Sequence, residues 1–221
     1  MTHSGNFRIN RVLALALVTA IAGGGCGSNG SMSTPLTANE ILEELVVTPP
    51  SDTSTYSREL FGDNYVDVDG DCRDTRDEVL VRDSERTTTG QCQIQTGFWK
   101  SEYESFSTED ASELTIDHLV ALKEAWISGA SDWSEDRRQR FFNDLGSSFS
   151  LSIMSRSLNS EKGENDPGTW LPAQSLCTYV VHWVAVKYRW TLAIDRDEKS
   201  AILEVLDGSC GETEIDVEVA D

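Results

Sequence analysis

The chain has 221 residues, a formal net charge of −20 at neutral pH and 38% hydrophobic residues. This length allows one domain with a sizeable core. The negative charge argues against a protein that binds nucleic acid by bulk electrostatic attraction. After the first 26 residues no stretch is long and apolar enough to cross a bilayer, which argues against an integral membrane protein.

The N-terminus has the pattern of an export signal. Two arginines precede an apolar run over residues 12–22, and three glycines then lead to Cys26. We therefore expect residues 1–26 to be a secretory signal peptide. Its removal leaves a formal charge of −22, because the segment holds two basic residues and no acidic one. Cys26 resembles the lipid-attachment site of bacterial lipoproteins, although Gly23 stands where that motif has leucine. We expect a lipoprotein of the bacterial cell envelope, with secretion as the alternative.

Composition divides the rest of the chain into a tether, a domain and a tail. Residues 27–35 are rich in glycine and serine, and a short helical pattern over residues 37–47 ends before two prolines. We therefore expect a tether with a short helix at 27–55, a folded domain at 56–211 and an acidic tail at 212–221.

Helices and strands are predicted to alternate within the domain. Alternating apolar residues indicate strands, apolar residues at helical spacing indicate helices, and Ser134 followed by two acidic residues indicates a helix start. The predicted elements are a helix at 75–81, strands at 91–99 and 113–120, a helix from Ser134 to Leu145, and helices at 176–193 and 195–206. The sequence therefore predicts an α+β domain with few strands and several helices.

Four cysteines remain after the signal peptide: Cys72, Cys92, Cys177 and Cys210. An even number in an oxidising compartment favours two disulfides, for which three connectivities exist. Pairing of Cys72 with Cys92 and of Cys177 with Cys210 is favoured, because each pair flanks one contiguous unit. Metal ligation is the alternative, but no CxxC spacing supports it.

Asp117 and His118 lie at the end of a predicted strand. Adjacent side chains on extended backbone point in different directions, so one can hold a metal while the other activates water. The pair alone more often marks a structural histidine. Further along, residues 155–167 are polar and turn-rich and contain Asn159, whose amide oxygen is a hard ligand compatible with Mg²⁺. Together the two segments supply one carboxylate, one amide and one base.

These segments resemble the HNH endonucleases of the ββα-metal fold, in particular the secreted branch related to the C-terminal domain of the GmrSD restriction enzyme. The resemblance follows the family's order over most of the chain after residue 56. The matching stretches are YSRELFG (56–62), CRDTRDEVLVRD (72–83), TGFW (96–99), IDHLVALKEAWISGA (116–130), DRRQRFFND (136–144), LNSEKGENDPGTWLP (158–172) and CTYVVHWVAVKYRWTL (177–192).

The resemblance implies a ββα-metal core elaborated with several helices. It implies that His118 is the general base and that Asp117 and Asn159 hold one divalent cation, Mg²⁺ with Mn²⁺ as the alternative. The implied substrate is nucleic acid, with DNA favoured. Charge and position alone place Lys162 and Arg156 near the phosphates. The sequence indicates no protein partner, and contact with a membrane only through a lipid anchor.

One departure from the family pattern supports a competing function. Related sequences have proline three residues after the histidine, where this chain has Ala121. With the strong negative charge, this departure is the main support for the alternative, a cell-surface binding or structural domain that has lost catalysis. Retention of Asp117, His118 and Asn159 argues against it. A serine or cysteine nucleophile is unsupported, because the cysteines are expected to be paired and no GxSxG motif is present.

An acidic cluster in the chain has two interpretations. Asp67, Asp69, Asp71 and Glu78 occupy positions 1, 3, 5 and 12 of a calcium-binding loop. Position 6 is Cys72 instead of the glycine that the loop's sharp turn needs. An acidic surface turn is therefore the default interpretation.

Three further groups are open between structural and functional roles. His182 lies in an apolar helix, which favours a packed residue over a metal ligand. Glu124 can orient a metal-bound water or form a salt bridge, and the salt bridge is favoured. For Arg137, Arg138 and Arg140, a contact to the DNA backbone and a solvated helix face are equally open.

Overall fold

The structure is a computed structural model that describes residues 35–221. The signal peptide, Cys26 and the first part of the predicted tether lie outside the described residues. Within residues 35–221, no helix is both long and apolar enough to cross a membrane.

Helices and short strands are mixed along the described part of the chain, which confirms the α+β class. The helices are α1 (Ala38–Glu44), α2 (Thr75–Asp83), α3 (Leu122–Ile127), α4 (Glu135–Phe142), α5 (Arg156–Lys162), α6 (Leu176–Arg189) and α7 (Arg196–Leu206). The strands are β1 (Leu36–Thr37), β2 (Thr96–Lys100), β3 (Ser107–Asp110), β4 (Leu114–His118), β5 (Leu151–Ser155) and β6 (Glu214–Ile215). They pair as three antiparallel two-stranded sheets, β1 with β6, β2 with β3, and β4 with β5.

The unit formed by β4, β5 and α5 carries the predicted site. The two strands pair in register from Leu114 opposite Ser155 to His118 opposite Leu151. α5 begins directly after β5, and the Ser155 hydroxyl caps it by accepting a hydrogen bond from the Leu158 amide at 3.1 Å. Two strands followed by a helix make up the ββα core that the sequence predicts, with α3 and α4 inserted between the strands.

Two apolar clusters fix the position of this unit. The larger surrounds α6, whose Tyr179, Trp183 and Val184 are fully buried. The smaller joins α2 and β2 to one face of the β4–β5 pair, the face that carries Ile116 and Ile153. Because side chains alternate along a strand, Asp117 points away from Ile116 and the smaller cluster.

The folded unit begins before the predicted start at Tyr56, which corrects the expected tether. α1 buries Ala38, Ile41 and Leu42 completely in the larger cluster. β1 pairs with β6, so Leu36 lies opposite Ile215 and part of the predicted acidic tail is also a strand. A short amphipathic helix becomes stable by burying its apolar face against other elements, which sequence periodicity alone does not reveal.

Both expected disulfides are present. Cys72–Cys92 joins the loop before α2 to the segment before β2, and Cys177–Cys210 joins the start of α6 to the segment after α7. Each bridge closes one contiguous stretch of chain and thereby restricts the unfolded state. The basis for the predicted pairing, that each pair flanks one structural unit, is confirmed.

Candidate active site

A cleft of about 380 Å³ lies where β4 ends, α3 begins and α5 passes. Asp117, His118 and Asn159 all line it, so the structure brings together the three residues singled out in the sequence. A larger cavity of about 730 Å³ lies between α4 and the C-terminal residues, and none of these three lines it. The chemistry of the lining residues, rather than volume, identifies the candidate site.

Asp117 is a buried carboxylate paired with a buried ammonium. Its exposed fraction is 7%, and that of Lys162 is 0%. Lys162 Nζ lies 3.1 Å from Oδ1 and 2.9 Å from Oδ2 of Asp117, and it also donates to the His118 carbonyl at 3.0 Å. The Oδ2 contact lacks hydrogen-bond geometry, so that buried oxygen accepts no hydrogen bond among the described residues. Burial raises the pKa of Asp117, and the Lys162 charge opposes this.

His118 is buried, with an exposed fraction of 6%, and oriented by one hydrogen bond. Its Nε2 lies 2.9 Å from the carbonyl oxygen of Phe142, the last residue of α4. A carbonyl only accepts, so Nε2 carries the proton in the neutral ring and Nδ1 keeps a free lone pair. Burial lowers the pKa of His118 to about 3, against the opposing effect of the Phe142 carbonyl. At neutral pH the ring is therefore uncharged.

Asn159 lies on α5, three residues before Lys162, so both side chains are on the same side of the helix. The start of α5 is held by Glu104, which accepts hydrogen bonds from the amide and the hydroxyl of Ser155, both at 2.8 Å. The half-buried Asn159 side chain makes no hydrogen bond within residues 35–221. Its amide oxygen is therefore free for a ligand.

The donor set in the cleft fits a hard divalent cation. Asp117 offers a carboxylate whose buried Oδ2 accepts no hydrogen bond, although it lies 2.9 Å from the Lys162 ammonium, and Asn159 offers an amide oxygen without a hydrogen bond among the described residues. Mg²⁺ prefers oxygen ligands and keeps several of its waters, so two protein ligands are enough for it. The residues present are therefore compatible with the cation that the sequence predicts.

A family model for the C-terminal domain of GmrSD restriction endonucleases matches residues 73–205, which is more than half of the chain. The chain belongs to this family. The matched span contains Asp117, His118 and Asn159, the residues that meet in the cleft. Nucleases of the HNH type, to which the family belongs, use a divalent metal.

The chain is also similar to a protein described as secreted. It is an uncharacterized secreted protein of the fungus Arthroderma benhamiae, 38% identical over 173 residues. The match covers 77% of this chain and 83% of the relative. No solved structure matches the chain.

The departure of this GmrSD-family chain at Ala121 leaves the backbone in the form that proline requires. Ala121 is the N-cap of α3, with φ −56° and ψ 149°. Proline fixes φ at about −65° and is tolerated at the start of a helix. The missing proline therefore does not change the path of the chain between His118 and α3.

Lys162 and Arg156, which charge and position place near the phosphates, do not line the cleft. Lys162 is enclosed by Asp117 and the His118 carbonyl, so its charge faces a carboxylate rather than solvent. Arg156 is exposed but does not line the cleft, and its guanidinium donates to the Ser112 carbonyl at 2.8 Å. Charge and sequence position did not reveal these partners, because both contacts are distant in sequence.

The other polar groups have structural partners. His182 stacks on Phe149 and has its Nδ1 3.1 Å from the Tyr103 hydroxyl. Glu124 accepts a hydrogen bond from Lys187 at 2.6 Å, in agreement with the favoured salt bridge. Arg137 and Arg138 donate to backbone carbonyls, and Arg140 pairs with Asp136. None of these residues lines the cleft.

The acidic loop is a surface turn with hydrogen bonds between its own residues. The carboxylates of Asp67, Asp69 and Asp71 lie within 4.8 Å of one another and are exposed. Asp67 accepts hydrogen bonds from the amides of Gly70 and Cys72. Glu78, the fourth residue of the calcium pattern, lies in α2, 3.9 Å from an Arg73 nitrogen. These contacts agree with the default interpretation of an acidic turn.

Sequence reasoning missed three charged residues that line the cleft: Arg58, Lys123 and Glu164. Lys123 and Glu164 pair with each other at 2.8 Å. Arg58 lies in the stretch YSRELFG, which carried part of the family resemblance without a role for the arginine. Arg58 is far in sequence from Asp117 and Asn159, so no local sequence pattern could place it in the site.

Proposed function

We propose that this chain is an exported, metal-dependent HNH endonuclease that hydrolyses phosphodiester bonds in nucleic acid, with DNA as the substrate. One observation carries the proposal: a neutral histidine, fixed through Nε2, shares a cleft with a carboxylate and an amide. Phosphodiester hydrolysis needs a base for the attacking water and positive charge at the leaving oxygen. The cleft offers a candidate group for each need.

His118 is the proposed general base. The hydrogen bond from Nε2 to the Phe142 carbonyl fixes the ring, and Nδ1 receives the proton of the attacking water. Asp117 and Asn159 are the proposed ligands of one Mg²⁺ ion, with Mn²⁺ as the alternative. A cation held by these two residues would supply positive charge that offsets the charge on the leaving 3′ oxygen. Lys162 holds Asp117 and the His118 carbonyl in place from the protein side.

Export is part of the proposal. The basic and apolar N-terminal pattern, the two disulfides and the similarity to a secreted fungal protein all support passage into an oxidising compartment. Lipid attachment at Cys26 in a bacterial envelope is the finer form of this proposal, and it rests on the sequence pattern around that cysteine alone.

The test is cleavage of plasmid DNA and of RNA, with Mg²⁺ or Mn²⁺ and with EDTA. We expect wild-type cleavage to require the cation, and His118→Ala to lower the rate by at least ~10²-fold, the lower end of what a general base contributes. His182→Ala is the matched control, because it removes a histidine outside the cleft and is expected to retain activity.

Thermal unfolding of both variants separates loss of chemistry from loss of fold. A folded His118→Ala protein that cleaves at the wild-type rate would contradict the proposed mechanism. Absence of cleavage by the wild-type protein with either cation would favour the competing view of a domain that has lost catalysis.

A further inference from the structure

We propose that Arg58 binds the scissile phosphate and supplies the guanidinium contact of the cleft. The inference rests on the proposed nuclease function and names a substrate-binding residue for it. Arg58 opens a 3-10 helical turn, Arg58–Leu60, and lines the same cleft as Asp117, His118 and Asn159. It lies outside residues 73–205, the span that the family model matches.

The charges around the cleft leave Arg58 without an acidic partner. Asp117 is paired with Lys162, and Glu164 with Lys123. Within residues 35–221 the Arg58 side chain makes neither an ion pair nor a hydrogen bond. The cleft therefore presents one uncompensated positive charge, which suits an anionic ligand.

The turn that carries Arg58 is anchored while its side chain is exposed. Phe61, directly after the turn, is fully buried and packs edge-on against Trp126 with ring centroids 6.3 Å apart. The Leu60 carbonyl accepts a hydrogen bond from Arg138 at 3.0 Å. Anchoring the backbone limits the space that the guanidinium can sample, so its charge stays near the cleft.

Arg58 and His118 are positioned by the same residue. The guanidinium carbon lies 5.4 Å from the centroid of the Phe142 ring, and the Phe142 carbonyl accepts the hydrogen bond that orients His118. The His118 ring also packs against the Phe142 ring, with centroids 4.9 Å apart, so the proposed base and the proposed phosphate ligand share one aromatic neighbour. A phosphodiester bound in the cleft that both side chains line would therefore lie near the proposed base and the guanidinium.

A guanidinium suits this role for two reasons. Its planar fork matches two non-bridging phosphate oxygens, whereas an ammonium acts as a single point charge. Negative charge on those oxygens increases when water attacks, so the contact is stronger in the transition state than with bound substrate. Loss of Arg58 should therefore lower kcat more than it raises KM.

The experiment compares Arg58→Ala and Arg58→Lys with wild type on a DNA duplex and on bis(p-nitrophenyl) phosphate, both with Mn²⁺. The small substrate has a scissile phosphodiester but no flanking phosphates. We expect Arg58→Ala to lower kcat/KM by about 10²-fold on both substrates, and Arg58→Lys to recover only part of the loss. Arg86→Ala is the control, because Arg86 is exposed and pairs with Glu109 outside the cleft.

The two substrates distinguish the ways in which the proposal can fail. A loss on DNA alone would place Arg58 at a flanking phosphate and overturn the scissile-phosphate contact. Unchanged rates for Arg58→Ala on both substrates would overturn the subsite but leave the proposed nuclease intact. A wild-type protein that cleaves neither substrate would remove the proposed function, and the subsite with it.

Discussion

Asp117 and Lys162 form a buried ion pair beside the cleft, and this pairing explains why a lysine expected at the phosphates lies inside the protein. A buried carboxylate without a cation is strongly destabilising. Lys162 compensates the charge of Asp117, and its bond to the His118 carbonyl also fixes the backbone between the proposed ligand and the proposed base. The lysine is therefore a positioning residue.

The lowered pKa of His118 predicts how the stability of the fold depends on pH. Its pKa falls from an ordinary value of 6.5 to about 3 on burial, so the unfolded chain binds the extra proton first as the pH drops. The stability that the neutral ring contributes is complete above pH 6.5 and is lost progressively as the pH falls towards 3. In this range the free energy of unfolding should fall by up to ~1.4 kcal/mol for each pH unit.

His118→Gln should flatten this decline, because glutamine has no proton to gain. The free energy of unfolding in urea, measured at several pH values between 7 and 4.5 for wild type and variant, tests the expectation. Burial also lowers the pKa of His182, to about 4. Because both proteins contain His182, its contribution cancels when the free energy of unfolding of one is subtracted from that of the other. Parallel curves for the two proteins would show that His118 does not carry the predicted shift.

At the scale of elements, the sequence predicted best where local signals are strong. Ser134 caps α4 as predicted and accepts a hydrogen bond from the Arg137 amide at 3.2 Å, and the helix predicted over 195–206 is α7, capped by Asp195. The helix over 176–193 ends earlier, at Arg189, and Thr191 then adopts a positive φ of 55°. Caps are encoded within a few residues, which is why they can be recognised.

Other elements were not predicted from the sequence, because they depend on partners that are distant in the chain. α5 has seven residues and buries only Lys162 among them, so it showed no apolar periodicity and its segment read as a polar turn. β5 was missed although its pairing with β4 forms the core of the site. The three central residues could be found by motif, whereas Arg58 required the folded structure to join the N-terminal turn to β4.

Lys187 of α6 joins three helices through one buried ammonium. It donates to Glu124 of α3 at 2.6 Å and to Glu198 of α7 at 2.7 Å. Two carboxylates share one cation, and burial raises the pKa of Glu198 to about 7 although Lys187 opposes the shift. Because α3 follows His118 closely in the chain, this cluster also fixes the wall of the cleft.

We expect Lys187→Met to destabilise the fold by roughly 3–5 kcal/mol, because it leaves two buried carboxylates without their cation. The control is Lys100→Met, since Lys100 forms an exposed pair with Glu85 and surface pairs contribute about 0–1 kcal/mol. Urea unfolding measures both. A loss for Lys187→Met as small as that of the control would show that the cluster adds little to stability.

At the scale of the whole molecule, the N-terminal segment and the C-terminus complete one fold. β1 pairs with β6, and the Ala220 amide donates to the Arg189 carbonyl at 2.7 Å. The segment that carries Arg58 follows α1, whose apolar face is buried against the rest of the core. The proposed phosphate contact at Arg58 therefore lies close to residue 56, where composition alone placed the boundary between the tether and the domain.

The overall charge of −20 sets a requirement for how such a nuclease meets DNA. Proteins that neutralise six to ten phosphates lose about 10³–10⁵ in affinity between 50 and 200 mM salt. Here one arginine faces the cleft without an acidic partner among the described lining residues, so few counterions are released on binding. Long-range repulsion from the acidic surface is at the same time screened over a Debye length of about 10 Å at 0.1 M salt.

We therefore expect kcat/KM for DNA cleavage to fall by only about fourfold between 50 and 200 mM NaCl at constant Mg²⁺, as for a single phosphate contact. Arg58→Ala should make the dependence flatter still, whereas Arg86→Ala should leave it unchanged. A decline of 10³-fold would mean that the acidic protein releases many counterions. It would require a basic binding surface outside the cleft, and recognition through one arginine and a bound cation would no longer account for binding.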